Sequence, residues 1–301
     1  MIGQAFQILK REYRLALPEH NPPKQSITMR EDEHGVCAYT NFMGARLSTG
    51  EVAVKAICVD EDENLTRSRT IVFDQTGAII RNIDSVFLTN LRCGMMAALA
   101  AEKFFGEISP DTVVGLIGTG PMNVITAHVF RRLFGVTDFV VKGSPRNPAK
   151  NIELFPLGTR PVVSATGLDE LKLCDVVISA TSVPDTSESL AYDQLPQPAL
   201  YIAQDGGWML GESFRRELPG FSDNPAQLVS HARDEFPEYP KHKWAIEHFE
   251  DLRSDRFMSG RVRQAVVYLY GIALADAVVA VHLDHLTFDD LTFDDLVGEA
   301  P

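Results

Sequence analysis

Four charged side chains stand out because of the company they keep. Lys55 lies in VAVKAI among Val52, Val54, Ala56 and Ile57. That stretch reads as a well-buried strand, where an ammonium needs a partner or a task. Arg92 follows Thr89 in LTNLRCG, at the head of a long Ala- and Met-rich run. With Thr89 as the N-cap, the guanidinium and the positive helix end converge on one region. A fork of donors placed there holds an α-carboxylate through two parallel bonds and so fixes its α-carbon. Arg30, ending SITMR, is a third cation in a β-rich stretch. Asp205 follows the apolar ALYIA and precedes Gly206 and Gly207, at the kind of strand end where α/β proteins place functional groups, and suits a proton acceptor. Each has a plain alternative: an ion pair for the cations, an ordinary turn carboxylate for Asp205.

A second constellation is made of backbone. In LIGTGPMN, Gly118, Thr119 and Gly120 lie where an apolar strand turns into a helix. Gly118 permits the turn, and Gly120 lets the main chain approach a pyrophosphate met by the N–H groups and dipole of a helix beginning near Met122, with Pro121 in the loop. The third fingerprint position is Asn123 instead of the usual Gly or Ala. After the next strand the chain reads VVKGSPRN, with Ser144 and Arg146 in place of the acid that normally holds a ribose hydroxyl. A hydroxyl and a guanidinium suit a 2′-phosphate, which favours NADP(H) and leaves NAD(H) open. The competing readings are a glycine turn in another α/β fold and a solvated Arg146.

These residues need elements to carry them. MIGQAFQILKREYRLAL reads as a surface helix without the apolar centre of a signal peptide. GEVAVKAICVD and RTIVFD are strands, and DQTGA is a turn leading into IIRNI, which together signal a hairpin. TVVGLIG, MNVITAHVFRRLF and DFVVKG form a strand, an amphipathic helix and a strand, a βαβ unit. LDELKLC reads as a helix, and DVVISATS as a strand buried in a parallel sheet. Pro219 to Arg263 reads as loops and short helices. VRQAVVYLYGIALADAVVAVHL reads as one nearly continuous apolar helix packed between domains or on a partner, with Tyr268 and Tyr270 at an interface. The repeated LTFDD of the tail is a frayed end.

With 301 residues, 45% of them hydrophobic, the chain buries a sizeable core without staples. No apolar run is long enough to span a bilayer, and a formal charge of −13 disfavours a nucleic-acid partner. Cys37, Cys58, Cys93 and Cys174 form no CxxC and read as reduced core residues of a cytoplasmic protein. His128, His282 and His285 lack ligand spacing, so no metal is expected.

TMR at Arg30, VK at Lys55, VFDQTG, LTNLRCGMMAALAA, LIGTGPMNVITAH, DVVISAT and YGIALADAVVA follow one another in the order and spacing of the ornithine cyclodeaminase / mu-crystallin family. The chain resembles that family over most of its length. LTNLRCGMMAALAA is similar to the family's LTxxRTAAxxALAA, with Cys93 and Gly94 in place of Thr and Ala. The late segment is similar to SVGLALQD, which puts Asp276 at its acidic position. AQDGGW at Asp205 replaces the usual Gly-Ala-Asp.

The resemblance implies an α/β protein. A Rossmann-type dinucleotide-binding domain (109–261) is inserted in a discontinuous α+β substrate-binding and dimerisation domain (1–108 and 262–301). It implies a homodimer, with an N-terminus short of the family's first strand and helix and so a different dimer edge. It makes Arg30 and Arg92 substrate-binding and Lys55 and Asp205 catalytic. Cofactor contacts come from Gly118, Thr119, Gly120, Pro121, Met122, Ser144, Arg146 and Thr181. The implied reaction exchanges hydride with the α-carbon of an amino acid or its imine. The substitutions at Cys93 and Gly94, the strand end at Asp205 and the loop at Ser144 favour net reduction or dehydrogenation. A redox-neutral cyclodeaminase releasing ammonia and a non-catalytic ligand-binding protein are the alternatives.

Overall fold

The computed structural model describes residues 1–16, 22, 24–32, 35–60, 65–143, 151–162, 168–181, 190–207, 209–210, 212–225, 228, 246–252, 254–255 and 263–291. Two compact units emerge: Met1–Arg92 with Gly271–Asp290, and Cys93–Tyr270 with Leu291–Pro301.

The first unit is an antiparallel sheet of β1 (Gln25–Asp32), β2 (Gly35–Arg46), β3 (Val52–Asp60), β4 (Leu65–Phe73) and β5 (Ile79–Asp84), in that order. Alternation makes it two-faced. Ala53 and Lys55 of β3 are buried while Val54 between them is 41% exposed. The hairpin turn expected at DQTGA forms because the Asp74 carboxylate accepts from Thr76 N (2.8 Å) and Ala78 N (3.0 Å), with Gly77 at φ 86°. Helix α1 (Ile2–Leu15) buries the stripe Ile2, Ala5, Phe6, Leu9 and Tyr13. Beyond a surface helix, then, it is a packed one.

Helix α2 (Val86–Phe105) starts in this unit. Thr89 is not its cap: the Thr89 N–H already makes a helical bond to Ser85 O (2.8 Å), and its hydroxyl donates to the same carbonyl (2.6 Å). Ser85 stands at the cap position, and Arg92 falls in the second turn.

The second unit is a parallel sheet. Its strands are β6 (Val113–Ile117), β7 (Asp138–Lys142), β8 (Arg160–Pro161), β9 (Val176–Ser179), β10 (Leu200–Ala203), β11 (Gly220–Ser222), β12 (Ile246–His248) and β13 (Ala265–Tyr268). The spatial order is β12-β11-β13-β10-β9-β6-β7-β8. Helix α3 (Pro121–Phe134) carries the chain from β6 to β7. The chain runs outward through β7 and β8, then returns to the other side of β6 with β9. In doubly wound sheets, ligands bind at the strand carboxyl ends beside such a reversal. A six-residue helix, α4 (Glu212–Glu217), precedes β11.

The late apolar segment is not one helix. Its first part is the fully buried strand β13, and its last part is α5 (Ala273–His282), which belongs to the first unit and packs on β2, β3 and α1. Gly271 at φ 82° breaks the run between them. Apolar all round, the segment offered no period by which strand and helix could be told apart. Tyr268 is consequently a core residue, 0% exposed. LDELKLC is reduced to one 3-10 turn, Leu171–Leu173, and the stretch after Pro219 contains strands β11 and β12. Among the described residues no helix is long and apolar enough to cross a membrane.

Candidate functional site

In the first unit, Lys55 of β3 and Asp276 of α5 meet although 221 residues separate them. Strand alternation turns Lys55 toward α5, flanked across the sheet by Met43 of β2 and Thr70 of β4. Its Nζ donates to Asp276 Oδ1 at 2.7 Å, with the two side chains 1% and 4% exposed. Arg92 Nε lies 3.4 Å from the same oxygen. The ion-pair alternative is thus realised for Lys55, but with one carboxylate oxygen shared between two buried cations. Asp276 Oδ2 is buried with no hydrogen-bond partner among the described residues.

Arg92 is seated by packing, not by the helix end, whose field fades within the first turn. A side chain at Gly271 would overlap its guanidinium. Beside the cluster runs a buried hydroxyl ladder. Thr70 Oγ1 donates to Ser85 Oγ at 2.8 Å, and Ser68 and Ser85 share a hydrogen at 2.8 Å.

Arg30 does not join this group. It pairs with Asp60 at 2.7 Å, and Asp60, five residues from Lys55 along a regular strand, points to the opposite face of the sheet. Register shifts on either side of Arg30 set its orientation, and sequence spacing carries no sign of them.

In the second unit, the loop after β6 has the geometry that phosphate binding asks for. Gly118 adopts φ 107°, and any side chain there would overlap the Ala180 carbonyl oxygen at the end of β9. Gly120 is the N-cap of α3, with Pro121 beginning the helix. A Cβ at Gly120 would meet nothing within 4 Å, so what that glycine leaves open is space in front of a helix N-terminus. Asn123 resolves the departure from the fingerprint. Fully buried, it donates from Nδ2 to Ile117 O (2.8 Å) and Gly118 O (2.9 Å). Asn151 Nδ2 takes Thr119 O at 3.0 Å. Two amides thereby engage the loop's carbonyls. The close helix contact usually supplied by the third glycine is found instead at Gly94 of α2, where a Cβ would lie 3.1 Å from Thr126 Cα. These features fit a dinucleotide pyrophosphate.

Asp205 closes the neighbouring strand ends. Its Oδ1 accepts from Ser179 Oγ (3.2 Å) and Gly207 N (3.1 Å), and its Oδ2 from Thr181 Oγ1 (3.0 Å) and Thr181 N (3.3 Å). Burial pushes the carboxyl above its ordinary value, outweighing the hydrogen bonds from Thr181, Gly207 and Ser179 that pull it down. Thr181, expected near the cofactor, is held by this carboxylate. Tyr270, expected at an interface, donates to Gly206 O at 2.9 Å. Ser144 and Arg146 lie outside the described residues. His128 contacts Leu154 O at 2.9 Å, a structural bond, and among the described residues no group of His, Cys, Asp and Glu is arranged to hold a metal.

No protein-family model matches the sequence, and no curated protein matches it either. Solved structures do. The chain is similar to an archaeal alanine dehydrogenase dimer with bound NAD (16% identity, TM-score 0.68, 99% of this chain and 92% of that one). It is similar to Δ1-pyrroline-2-carboxylate reductase of Thermococcus litoralis in complex with NADH and L-proline (14% identity, TM-score 0.66, 99% and 94%). A probable ornithine cyclodeaminase of Bordetella pertussis Tohama I matches at 18% identity, TM-score 0.66, over 99% and 94%. The fold is therefore that of the ornithine cyclodeaminase-like NAD-binding proteins.

Proposed function

We propose that the protein is an NAD(P)-dependent oxidoreductase of the ornithine cyclodeaminase / mu-crystallin kind, exchanging hydride with the α-carbon of a small amino acid or its imine. The observation that carries this reading is the pair of buried cations, Lys55 and Arg92, gathered on Asp276 Oδ1. Burying two cations is costly, and their donors match a substrate carboxylate.

Arg92 holds that carboxylate, and Lys55 handles the proton at nitrogen. Asp205 is the second proton-handling group, its raised pKa favouring a carboxyl able to give as well as take a proton. The loop from Gly118 to Met122 would hold the pyrophosphate, and Thr181 would serve as a further cofactor contact. A nicotinamide bound there would supply or take hydride at the α-carbon. Two of the similar structures hold NAD or NADH. The absence of an acid after β7, with Ser144 and Arg146 following, favours NADP(H) here.

A homodimer is our reading of the assembly. One of the similar structures is a dimer, and the sheet face turned away from Lys55 exposes Ile27 (58%), Phe42 (41%) and Val54 (41%). The acidic charge supports neither a nucleic-acid nor a membrane partner, and a cytoplasmic location suits Cys58 and Cys174, neither of which forms a disulfide.

The test is loss of reduced-nicotinamide absorbance when NADPH or NADH meets the protein with cyclic imino acids, or with keto acids plus ammonia. Steady consumption is expected. Ammonia release from a diamino acid without net consumption would transfer the assignment to the cyclodeaminase. Cofactor binding with no turnover of any kind would leave a ligand-binding protein.

A further inference from the structure

We propose that Asp276 is a positioning residue that keeps Lys55 protonated, so that Lys55 enters the reaction as an acid. The inference rests on the reductive reading above. An ammonium withdrawn from water tends to lose its proton, and a carboxylate at contact distance reverses that tendency. Asp276 Oδ1, at 2.7 Å, is such a carboxylate.

Among the described residues, groups from several elements lie around Lys55. From α5 comes Asp276. From α2 comes Arg92, which sits on the same oxygen and opposes a second positive charge. Met43 of β2 and Thr70 of β4 do not titrate. His282, six residues farther along α5, is about 9 Å away along the helix axis. Glu12 of α1 is occupied by Ser48 N at 2.7 Å.

A purely structural role explains this arrangement poorly. Buried ion pairs add little over well-packed apolar side chains, and α5 is otherwise built from Ala, Val and Leu with one terminal His. Oδ2, without a hydrogen-bond partner among the described residues, is a further cost that an apolar residue would avoid. In the reaction, the α-carbon receives hydride from a reduced nicotinamide, and the C=N electron pair becomes the nitrogen lone pair. That lone pair takes a proton from Lys55, leaving Lys55 as a neutral amine, the nicotinamide oxidised and the substrate an amine.

The experiment is the urea midpoint between pH 6 and pH 10 for the wild type, Asp276→Asn, Asp276→Glu and Lys55→Met/Asp276→Asn. Without its carboxylate, Lys55 has a folded pKa below the unfolded value of about 10.4. The unfolded chain then binds more protons, so the stability of Asp276→Asn rises with pH through that window, relative to wild type. The double variant loses this slope, and Asp276→Glu resembles the wild type. Should Asp276→Asn not fold, folding of the double variant supports the proposal, because an uncompensated ammonium is then the cause. Failure of both to fold overturns it, as does a loss of stability in Asp276→Asn that is equal at every pH.

With an imine substrate, the alkaline limb of kcat/KM in Asp276→Asn moves down by about one to three pH units, and Asp276→Glu restores it. A limb that stays in place also overturns the proposal. If the wild type reduces no imine, the oxidoreductase reading fails by itself, and the stability slope still decides whether Asp276 holds the proton.

Discussion

The two units build their sites from different materials. In the second unit the dinucleotide loop is made of backbone contributed by consecutive residues, Ile117 to Asn123, held by two asparagine amides. In the first unit the cation cluster is made of side chains from β3, α2 and α5, brought together from residues 55, 92 and 276. A backbone site tolerates most side-chain changes and fails where a Cβ intrudes. A side-chain site fails when one charge is removed, because the remaining charges are left buried without compensation.

The largest effect that can break this contrast is Lys55→Met. It should lower kcat by about 10²- to 10⁴-fold, the usual range for losing an acid-base group, and leave the dissociation constant for NADPH unchanged in a fluorescence titration. A parallel loss of nucleotide binding would mean that the cluster is not a substrate site. Next comes the loop. Gly118→Ala forces a side chain into φ 107° and onto Ala180, and should cost about 1–3 kcal/mol of stability together with cofactor binding. Gly120→Ala meets no protein atom, so its melting temperature should stay at the wild-type value while the nucleotide dissociation constant rises. If both variants melt like the wild type, the loop is not strained as described; if Gly120→Ala binds normally, the pyrophosphate is elsewhere.

Gly271→Ala probes the first unit by an equivalent intrusion. The added methyl displaces the Arg92 guanidinium, and losing one charge-assisted hydrogen bond to a carboxylate should raise KM for the substrate about tenfold with a smaller change in kcat. An unchanged KM would remove Arg92 from carboxylate binding.

The same contrast governs how much was legible in the sequence. The strand, GTGP loop and helix around Gly118 were readable because their partners are sequence neighbours, and so was the turn at DQTGA. Lys55 and Arg92 were recognisable one at a time, as cations in apolar settings. Their meeting on Asp276 was not, since no local pattern encodes a contact across 221 residues. The pairing of Arg30 with Asp60 was unreadable for a related reason: register shifts decide which face a strand residue takes, and they leave no periodic trace. The late apolar run concealed a strand and a helix because burial on all sides erases both periods. Gly271 was the one visible signal of the break.

Asp205 sharpens the comparison from the other side, as a side chain in the unit whose site is otherwise backbone. Its folded pKa is raised by burial above the ordinary 3.8, so the native protein holds this proton more tightly than the unfolded chain does. Stability from this group is therefore fully present below about pH 4 and is lost as pH rises through the raised value, by at most about 1.4 kcal/mol per pH unit. Asp205→Asn removes that titration. Relative to wild type, the variant should gain stability as pH rises above about 4 and show no gain at lower pH, as measured by urea midpoints. The amide keeps one acceptor for Ser179, Thr181 and Gly207 but cannot move a proton, so turnover should fall even where stability improves. A variant more stable at neutral pH yet inactive would mark Asp205 as a group retained for chemistry at a cost to the fold. A variant that is less stable at every pH, with activity falling only in step, would make Asp205 the clasp of strands β9 and β10 and nothing more.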